Sequence, residues 1–251
     1  MAGHSKWASI KHRKKAVDAK RGALFTKLTR AITVAARDGG GGDPDGNPAL
    51  ALAVQKARDA SMPKDNIERA IAKGTGADAD ADAFESVVYE GYGPGGVAIL
   101  VEALTDNRNR TGSEIRHVFT KHGGNLGEPG SVAWTFEKKG EIVVDAGRYS
   151  EDDLLAAIDA GAEDVALDGD VWEIVTGPTE VSAVRDALAA EGVEIESAEL
   201  LQRPTNRTPV DEDRVGSLMR LIEALEEHDD VQGVHANFDV DAEVLERVAA
   251  A

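Results

Sequence analysis

A short acidic segment at residues 77–83 separates two parts of this chain that have different hydrophobic patterns. It reads ADADADA, so it offers no large apolar side chain to bury and no glycine or proline for a turn. Before it, apolar residues recur at helical spacing, and after it they form runs and alternations typical of strands. We therefore expect a solvated linker here and a multidomain α+β protein that begins with a helical domain.

The helical domain is predicted to span residues 1–76. Asn47 and Pro48 are suited to the N-cap and the first position of a helix, and a glycine run at 39–42 ends the helix before them. Pro63 precedes another periodic segment. The pattern predicts a three-helix bundle with helices at about 16–37, 48–60 and 64–74.

A split α+β domain is predicted at 84–130 plus 204–251. Its first part has strands at 84–90 and 97–104, the second apolar enough to be buried on both faces. A helix at 111–121 would begin with a capping box from Thr111 to Glu114. Its second part supplies a helix at 215–228 and a strand at 231–240.

Residues 131–203 read as a separate unit inserted into that domain. After a strand at 131–136, the predicted elements follow the order β-α-β-β-α-β of the ferredoxin-like fold. The predicted helices are 151–160, with Ser150 as N-cap, and 180–191, with Thr179 as N-cap. Between residues 132 and 203 there are 18 acids and 5 bases, so most of this surface should repel nucleic acid.

The opening 37 residues are strongly basic although the protein is acidic. They hold ten Lys and Arg against one acid, Asp18, a net charge of +9. Because the whole chain carries −18, the rest must carry −27. Such a concentration of cations is typical of a surface that binds a phosphate backbone. A solvated charged arm and a docking surface for membrane or protein are the alternatives.

Several functional classes lack support. The chain has no Cys, which excludes disulfides and thiolate sites. It has no P-loop or G-x-S-x-G motif, and its histidines lack metal-ligand spacing. We expect no enzyme activity, no metal and no cofactor. No segment is apolar enough to span a bilayer, so we expect a cytoplasmic protein, with an organelle transit peptide as the alternative for its basic N-terminus.

Gly91, Gly93 and Gly96 have the spacing of a dinucleotide-binding fingerprint. That fingerprint requires a following helix, whereas Pro94 and then a predicted strand follow here. We interpret these glycines as a connection between strands.

Five stretches of the sequence resemble the YebC/PmpR family. They are MAGHSKW with IKHRK at 1–14, KRG-LFTKL at 20–28, MPKDNIERAI-KGTG at 62–76, YEGYGPGGVAILVEALTDNRNRT at 89–111 and GGNLG--GSVAW-F at 123–136. The resemblance implies a helical N-terminal domain and two α+β domains, the third inserted in the second. It also implies a role in gene expression, because bacterial members are called DNA-binding transcriptional regulators. Other relatives, including the mitochondrial translational activator of cytochrome oxidase, are translation factors.

Two groups of residues are the candidate nucleic-acid site. Trp7 and His12 lie among cations, so they could stack on a base or ribose, although Trp7 could instead pack on the following helix. Arg108 and Arg110 lead into a helix N-terminus that favours an anion, although they could instead pair with nearby acids. The predicted site comprises Lys6, Trp7, Lys11, His12, Arg13, Lys14, Lys15, Lys20, Arg21, Lys27, Arg30, Arg108 and Arg110.

The expected partner is nucleic acid, bound through the basic N-terminal domain, with no membrane involved. A DNA-binding transcriptional regulator is the first hypothesis, and a ribosome-associated factor that binds ribosomal RNA and relieves stalled elongation is the second. A protein-interaction scaffold that uses the acidic ferredoxin-like unit is the third.

Overall fold

The computed structural model describes Trp7, residues 21–76 and residues 84–250. The predicted linker at 77–83 therefore lies outside the described residues. The helical part contains α1 (Arg21–Asp38), α2 (Pro48–Asp59) and α3 (Lys64–Gly74).

Local sequence signals explain where the helices of this part begin. Asn47 caps α2 by accepting a hydrogen bond from the Leu50 N–H at 3.1 Å, and its amide also donates to Ala35 O at 2.8 Å. The Asn47 side chain thus ties the start of α2 to the end of α1, as well as satisfying an N–H that the helix leaves open. The predicted Asn47 cap is confirmed, as are the second and third helices and the first helix from Arg21 onward, while residues 16–20 of its predicted range lie outside the described residues.

The first sheet combines strands from distant parts of the chain. Its antiparallel order is β3-β1-β2-β9, with β1 (Glu85–Tyr92), β2 (Ala98–Thr105), β3 (Asn125–Leu126) and β9 (Val231–Ala236). One face of β2 packs into a core with α4 (Arg108–Lys121) and α7 (Glu212–Glu226). The other face contacts Val132 and Phe136, so the predicted burial of this strand on both faces is confirmed.

The second sheet lies between those strands in sequence. Its strands are β4 (Phe136–Asp145), β5 (Ala162–Asp168), β6 (Val171–Thr176) and β7 (Ser197–Pro204). Their antiparallel order is β5-β6-β4-β7, the order of a ferredoxin-like fold, and α5 (Leu155–Asp159) and α6 (Val181–Ala190) pack against the sheet. An inserted unit is the topology expected, while the proposed boundaries at 130 and 204 remain predictions.

Several local predictions were wrong for identifiable reasons. Helix α4 starts at Arg108 because Asn107 accepts a hydrogen bond from the Arg110 N–H at 3.1 Å, so Thr111 lies inside the helix. The predicted strand at 131–136 is a turn of 3-10 helix, Ala133–Thr135, followed by β4. The residue at the N-cap of α6 is Glu180 rather than Thr179.

The C-terminal end also differs from the prediction. The predicted strand at 231–240 divides into β9 and β10 (Phe238–Asp239), and β10 pairs with β8 (Thr208–Pro209). Helix α8 (Ala242–Ala250) was not predicted, although Val244, Leu245 and Val248 have helical spacing. These three residues belong to the core of the first sheet or pack against it, so α8 completes that core.

Candidate nucleic-acid interface

The structure describes only part of the predicted site. The basic residues Lys6, Lys11, His12, Arg13, Lys14, Lys15 and Lys20 lie outside the described residues, as does the side chain of Arg21. The positions that can be examined are Trp7, Lys27, Arg30, Arg108 and Arg110.

Trp7 is a core residue. Its side chain is 3% exposed and belongs to the cluster that includes Val97 and Phe119 from the first sheet and its helix. Its Nε1 has no hydrogen-bond partner in the structure. This burial favours the alternative, in which Trp7 packs inside the protein, over the predicted stacking on a base, because a buried indole presents no face to a ligand. The tryptophan instead anchors the N-terminal segment to the α+β part of the molecule.

Two cations of α1 contact the end of α7 and the segment that follows it. Lys27 donates from Nζ to Glu226 O at 2.7 Å, and Arg30 donates from Nη1 to Asp229 O at 2.8 Å. Arg30 also lies over the Phe84 ring, with its guanidinium carbon 5.2 Å from the ring centroid. These side chains join the helical domain to the first sheet.

Asp230 is the centre of this contact. Its Oδ1 accepts from Arg30 at 2.8 Å, while its Oδ2 accepts from Arg110 at 2.9 Å and from the Thr111 hydroxyl at 2.6 Å. The carboxylate is nearly inaccessible, with a side chain 4% exposed. We call Asp230 with Arg30, Arg110 and Thr111 the Asp230 cluster.

The charges in the Asp230 cluster change the pKa values of its members. Burial alone would raise the pKa of Asp230, but hydrogen bonds from Thr111 and Arg110, together with the charges of Arg110 and Arg30, lower it below its usual value. The hydrogen bond to Asp230 is in turn the main reason that the pKa of Arg110 is raised. Asp230 is therefore ionised at neutral pH and holds both arginines.

The two predicted arginines of α4 have different surroundings. Arg110 is bonded to Asp106 as well as Asp230, at 2.8 and 2.9 Å. Arg108 is 67% exposed, and its nearest acid, Glu85, lies 3.9 Å away. The structure thus pairs Arg110 with acids, which was the alternative interpretation, and leaves Arg108 open to solvent.

Glu114 and His228 lie next to the Asp230 cluster. Together with Asp230 they offer three possible metal-ligand atoms, one from each residue, that lie within 4.8 Å of one another. The Asp230 N–H donates to His228 Nδ1 at 3.1 Å, so the neutral ring must carry its proton on Nε2 and donate it to Glu114 at 2.9 Å. Both carboxylate oxygens of Asp230, both ring nitrogens of His228 and Oε2 of Glu114 have protein partners, so the group forms a hydrogen-bond network.

Two residues important to this region were missed by the sequence analysis. Asp230 has no distinguishing pattern, since it stands in an ordinary acidic run before a strand. Lys56 of α2 pairs with Glu199 of β7 at 2.7 Å, and the neighbouring Leu52 packs against the core of the second sheet. The helical domain therefore contacts both sheets. Among the residues that the structure describes, no helix is both long and apolar enough to cross a membrane.

Comparison with known proteins places the chain in a family. The profile described as "TACO1/YebC protein N-terminal domain" matches residues 5–77, and the profile "TACO1/YebC second and third domain" matches residues 84–238. The chain belongs to the TACO1/YebC family. These matches cover both the helical domain and the two sheets.

Full-length relatives support the same assignment. A protein of Rubrobacter xylanophilus named "Probable transcriptional regulatory protein" is 59% identical over 99% of this chain and 100% of its own length. One from Acidothermus cellulolyticus with the same name is 54% identical over the same shares. The crystal structure of a conserved hypothetical protein from Aquifex aeolicus matches with a TM-score of 0.84 and 52% identity, covering 94% of this chain and 97% of that one. The fold of that structure is thus shared over 94% of this chain.

Proposed function

We propose that this chain is a non-enzymatic regulator of gene expression that binds nucleic acid through the basic charge of its N-terminal segment, most simply as a DNA-binding transcriptional regulator. One observation carries the proposal: a net charge of +9 in the first 37 residues of a chain whose total is −18. Cations in such density neutralise phosphates, which determines affinity and orientation on nucleic acid more than sequence preference. The names of the relatives, "Probable transcriptional regulatory protein", support the same class.

The proposal concerns mainly the cations before α1. Lys27, Arg30 and Arg110 hold the domains together, so they contribute less to an open basic surface than their charge suggests. Arg108 remains exposed and stays in the proposed site. The proposed contacts are Lys6, Lys11, His12, Arg13, Lys14, Lys15, Lys20, Arg21 and Arg108.

A ribosome-associated translation factor that binds ribosomal RNA is the second candidate. The observation that favours it is the distribution of exposed charges on α3. This helix would be the recognition helix if α2 and α3 acted as a helix-turn-helix pair. Its exposed charges are mixed: Lys64 pairs with Glu68 at 3.5 Å, and Arg69 contacts Asn66 on the same helix. Such a surface is poorly suited to reading bases in a major groove, whereas backbone contacts alone would serve equally well on RNA.

The test is crosslinking in cells followed by sequencing of both bound DNA and bound RNA. Deleting the N-terminus would remove Trp7 from the core, so the matched variant keeps the chain length and changes Lys6, Lys11, Arg13, Lys14 and Lys15 to Gln. We expect the native protein to recover promoter DNA and this variant to lose it. Recovery of ribosomal RNA alone would establish the second candidate, and equal recovery of nucleic acid by both proteins would contradict the proposed contact surface.

A further inference from the structure

A cleft of about 560 Å³ lies between α4, α7 and the glycine turns that follow β1 and α4. Its cationic lining residues are Lys121 at the end of α4 and Arg214 and Arg220 on α7, the imidazole of His122 lies beside them, and its acidic lining residue is Asp213. We call this the basic cleft. Its volume is within the range of ligand-binding sites in proteins, and none of its lining residues belongs to the predicted nucleic-acid site.

Three cations of the basic cleft form no ion pair with an acid among the described residues. Neither Lys121 nor Arg214 forms an ion pair within the described part of the chain, and Arg220 donates to a neutral acceptor, Ser217 Oγ, at 3.0 Å. Glu212, which precedes Asp213, is paired with Arg247 at 2.7 Å. In a chain with 46 acids and 28 bases, unpaired cations gathered around one cleft produce a local positive potential that attracts anions.

The positive charges of the cleft affect the pKa of His122. Partial burial is the main reason that the pKa of its imidazole is lowered, and the nearby charges of Lys121, Arg220 and His117 lower it further. An anion in the cleft would oppose the effect of those charges. The ring is therefore a built-in reporter of anion binding.

Two glycine turns form one wall of the cleft. Gly95 and Gly123 have φ angles of +82° and +81°, which side-chain-bearing residues rarely adopt. A Cβ atom at Gly95 would face Val210 and one at Gly123 would face Pro94, so the glycines fix the shape of these turns. The long cationic side chains of α4 and α7 are suited to holding a phosphate ester beside them.

The basic cleft and the helical domain lie at opposite ends of α7. Arg214 is near the start of this 15-residue helix, and Glu226, whose carbonyl binds Lys27, is at its end. At 1.5 Å per residue the two positions are about 18 Å apart along the axis. A nucleic acid with a rise of about 3.4 Å per nucleotide would span that distance in about five or six nucleotides.

We infer that the basic cleft binds backbone phosphates of the nucleic acid whose other phosphates are neutralised by the N-terminal cations. This inference rests on the proposed function, because it assigns a second contact on the same ligand. The shared chemistry is a phosphate oxyanion, and its source is a polynucleotide rather than free phosphate.

The test measures binding of a 20-nucleotide RNA and of a 20-base-pair DNA to the full chain over a range of salt concentrations. The double variant Lys121→Gln, Arg214→Gln removes two cleft charges from exposed positions. The control Lys138→Gln, Arg185→Gln removes two charges from the ferredoxin-like unit. If both cleft cations contact phosphates, we expect the cleft variant to bind at least about tenfold more weakly near 0.1 M salt, with a salt slope shallower by about 1 to 2. We expect the control to remain within about twofold of the native chain.

The possible outcomes separate the two claims. If the native chain binds neither probe, the proposed function fails. If the native chain binds with a steep salt slope and the cleft variant matches the control, the proposed function stands and the basic cleft is overturned as a contact.

A second readout follows the imidazole of His122 by NMR in the native chain. We expect the bound oligonucleotide to shift its ring signals and raise its pKa, because phosphate offsets the charges of Lys121, Arg220 and His117 while Asp213 stays in place. If inorganic phosphate shifts these signals and the oligonucleotide does not, the cleft is a site for free phosphate and the inference is overturned.

Discussion

Two groups of cations near the opposite ends of α7 show how differently the same residue types can be used. In the Asp230 cluster, Arg30 and Arg110 converge on one buried carboxylate and join the helical domain to the first sheet. In the basic cleft, Lys121 and Arg214 lie in solvent without an acidic partner among the described residues. The first group stabilises the fold, and the second is available to a ligand. Basic character in a sequence therefore identifies cations but does not show which of them are already paired.

Trp7 extends this comparison to an aromatic side chain. Its replacement is expected to have the largest effect on stability. Trp7→Ala should lower the free energy of unfolding by about 3 kcal/mol or more, because it removes a large side chain from a packed core. Urea unfolding followed by circular dichroism measures this change.

The control for Trp7 is Trp7→Phe, which keeps an aromatic ring and removes the unpartnered Nε1. We expect it to cost much less stability and to leave nucleic-acid affinity within about twofold. A marked loss of affinity in folded Trp7→Phe would show that the indole contacts nucleic acid after all.

Asp230→Asn tests the paired group directly. The substitution removes the counter-charge of Arg30 and leaves Arg110 with Asp106 alone, so we expect a loss of about 2 to 3 kcal/mol in unfolding free energy. The exposed pair of Arg37 with Asp38 supplies the control, since Asp38→Asn should cost under about 1 kcal/mol. Equal effects of the two substitutions would mean that the Asp230 cluster does not hold the domains together.

Acid should weaken the same cluster. Because the pKa of Asp230 is lower in the folded protein than in the unfolded chain, its contribution is present at neutral pH. It is lost progressively as the pH falls below about 4 and through the folded value. Unfolding midpoints measured from pH 7 to pH 3 should fall less steeply for Asp230→Asn than for the native chain.

Acid should also protonate Glu90, which is present in both the native chain and the Asp230→Asn variant. Glu90 is buried and accepts hydrogen bonds from the N–H groups of Gly130, Val132 and Ala133. Burial would raise its pKa, but these bonds lower it, so it also loses its stabilising role in acid. The difference between the two pH profiles isolates Asp230, and identical profiles would contradict its proposed ionisation.

The smallest effect on stability is expected at the basic cleft. Neutralising Lys121 and Arg214 should change the unfolding free energy by less than about 0.5 kcal/mol, and relief of repulsion favours a slight gain. A loss above about 1 kcal/mol in the same urea titration would show that these cations have structural partners, and the contrast with the Asp230 cluster would disappear.

Periodicity predicted much of the fold, and it failed where single contacts decide. The three helices, the buried β2 and the ferredoxin-like order follow from repeated patterns that many residues share. The start of α4 instead depends on one side chain. Asn107 accepts a hydrogen bond from the Arg110 N–H, so the helix begins three residues before the predicted capping box at Thr111.

The candidate site was less predictable because it depends on distant partners. Arg30 and Asp230 are separated by 200 positions, and no local pattern indicates that they meet. Trp7 stands among cations in sequence, yet it packs into the core of the first sheet. The basic cleft likewise combines α4 with α7, which are remote in sequence and adjacent only in the fold.

The salt dependence of nucleic-acid affinity tests the central claim most directly. If about five to seven phosphates are neutralised, the logarithm of the association constant should fall against the logarithm of salt concentration with a slope near −5. The Gln variant of the five N-terminal cations should have a much shallower slope. An affinity that does not change between 50 and 200 mM salt would contradict binding by backbone charge.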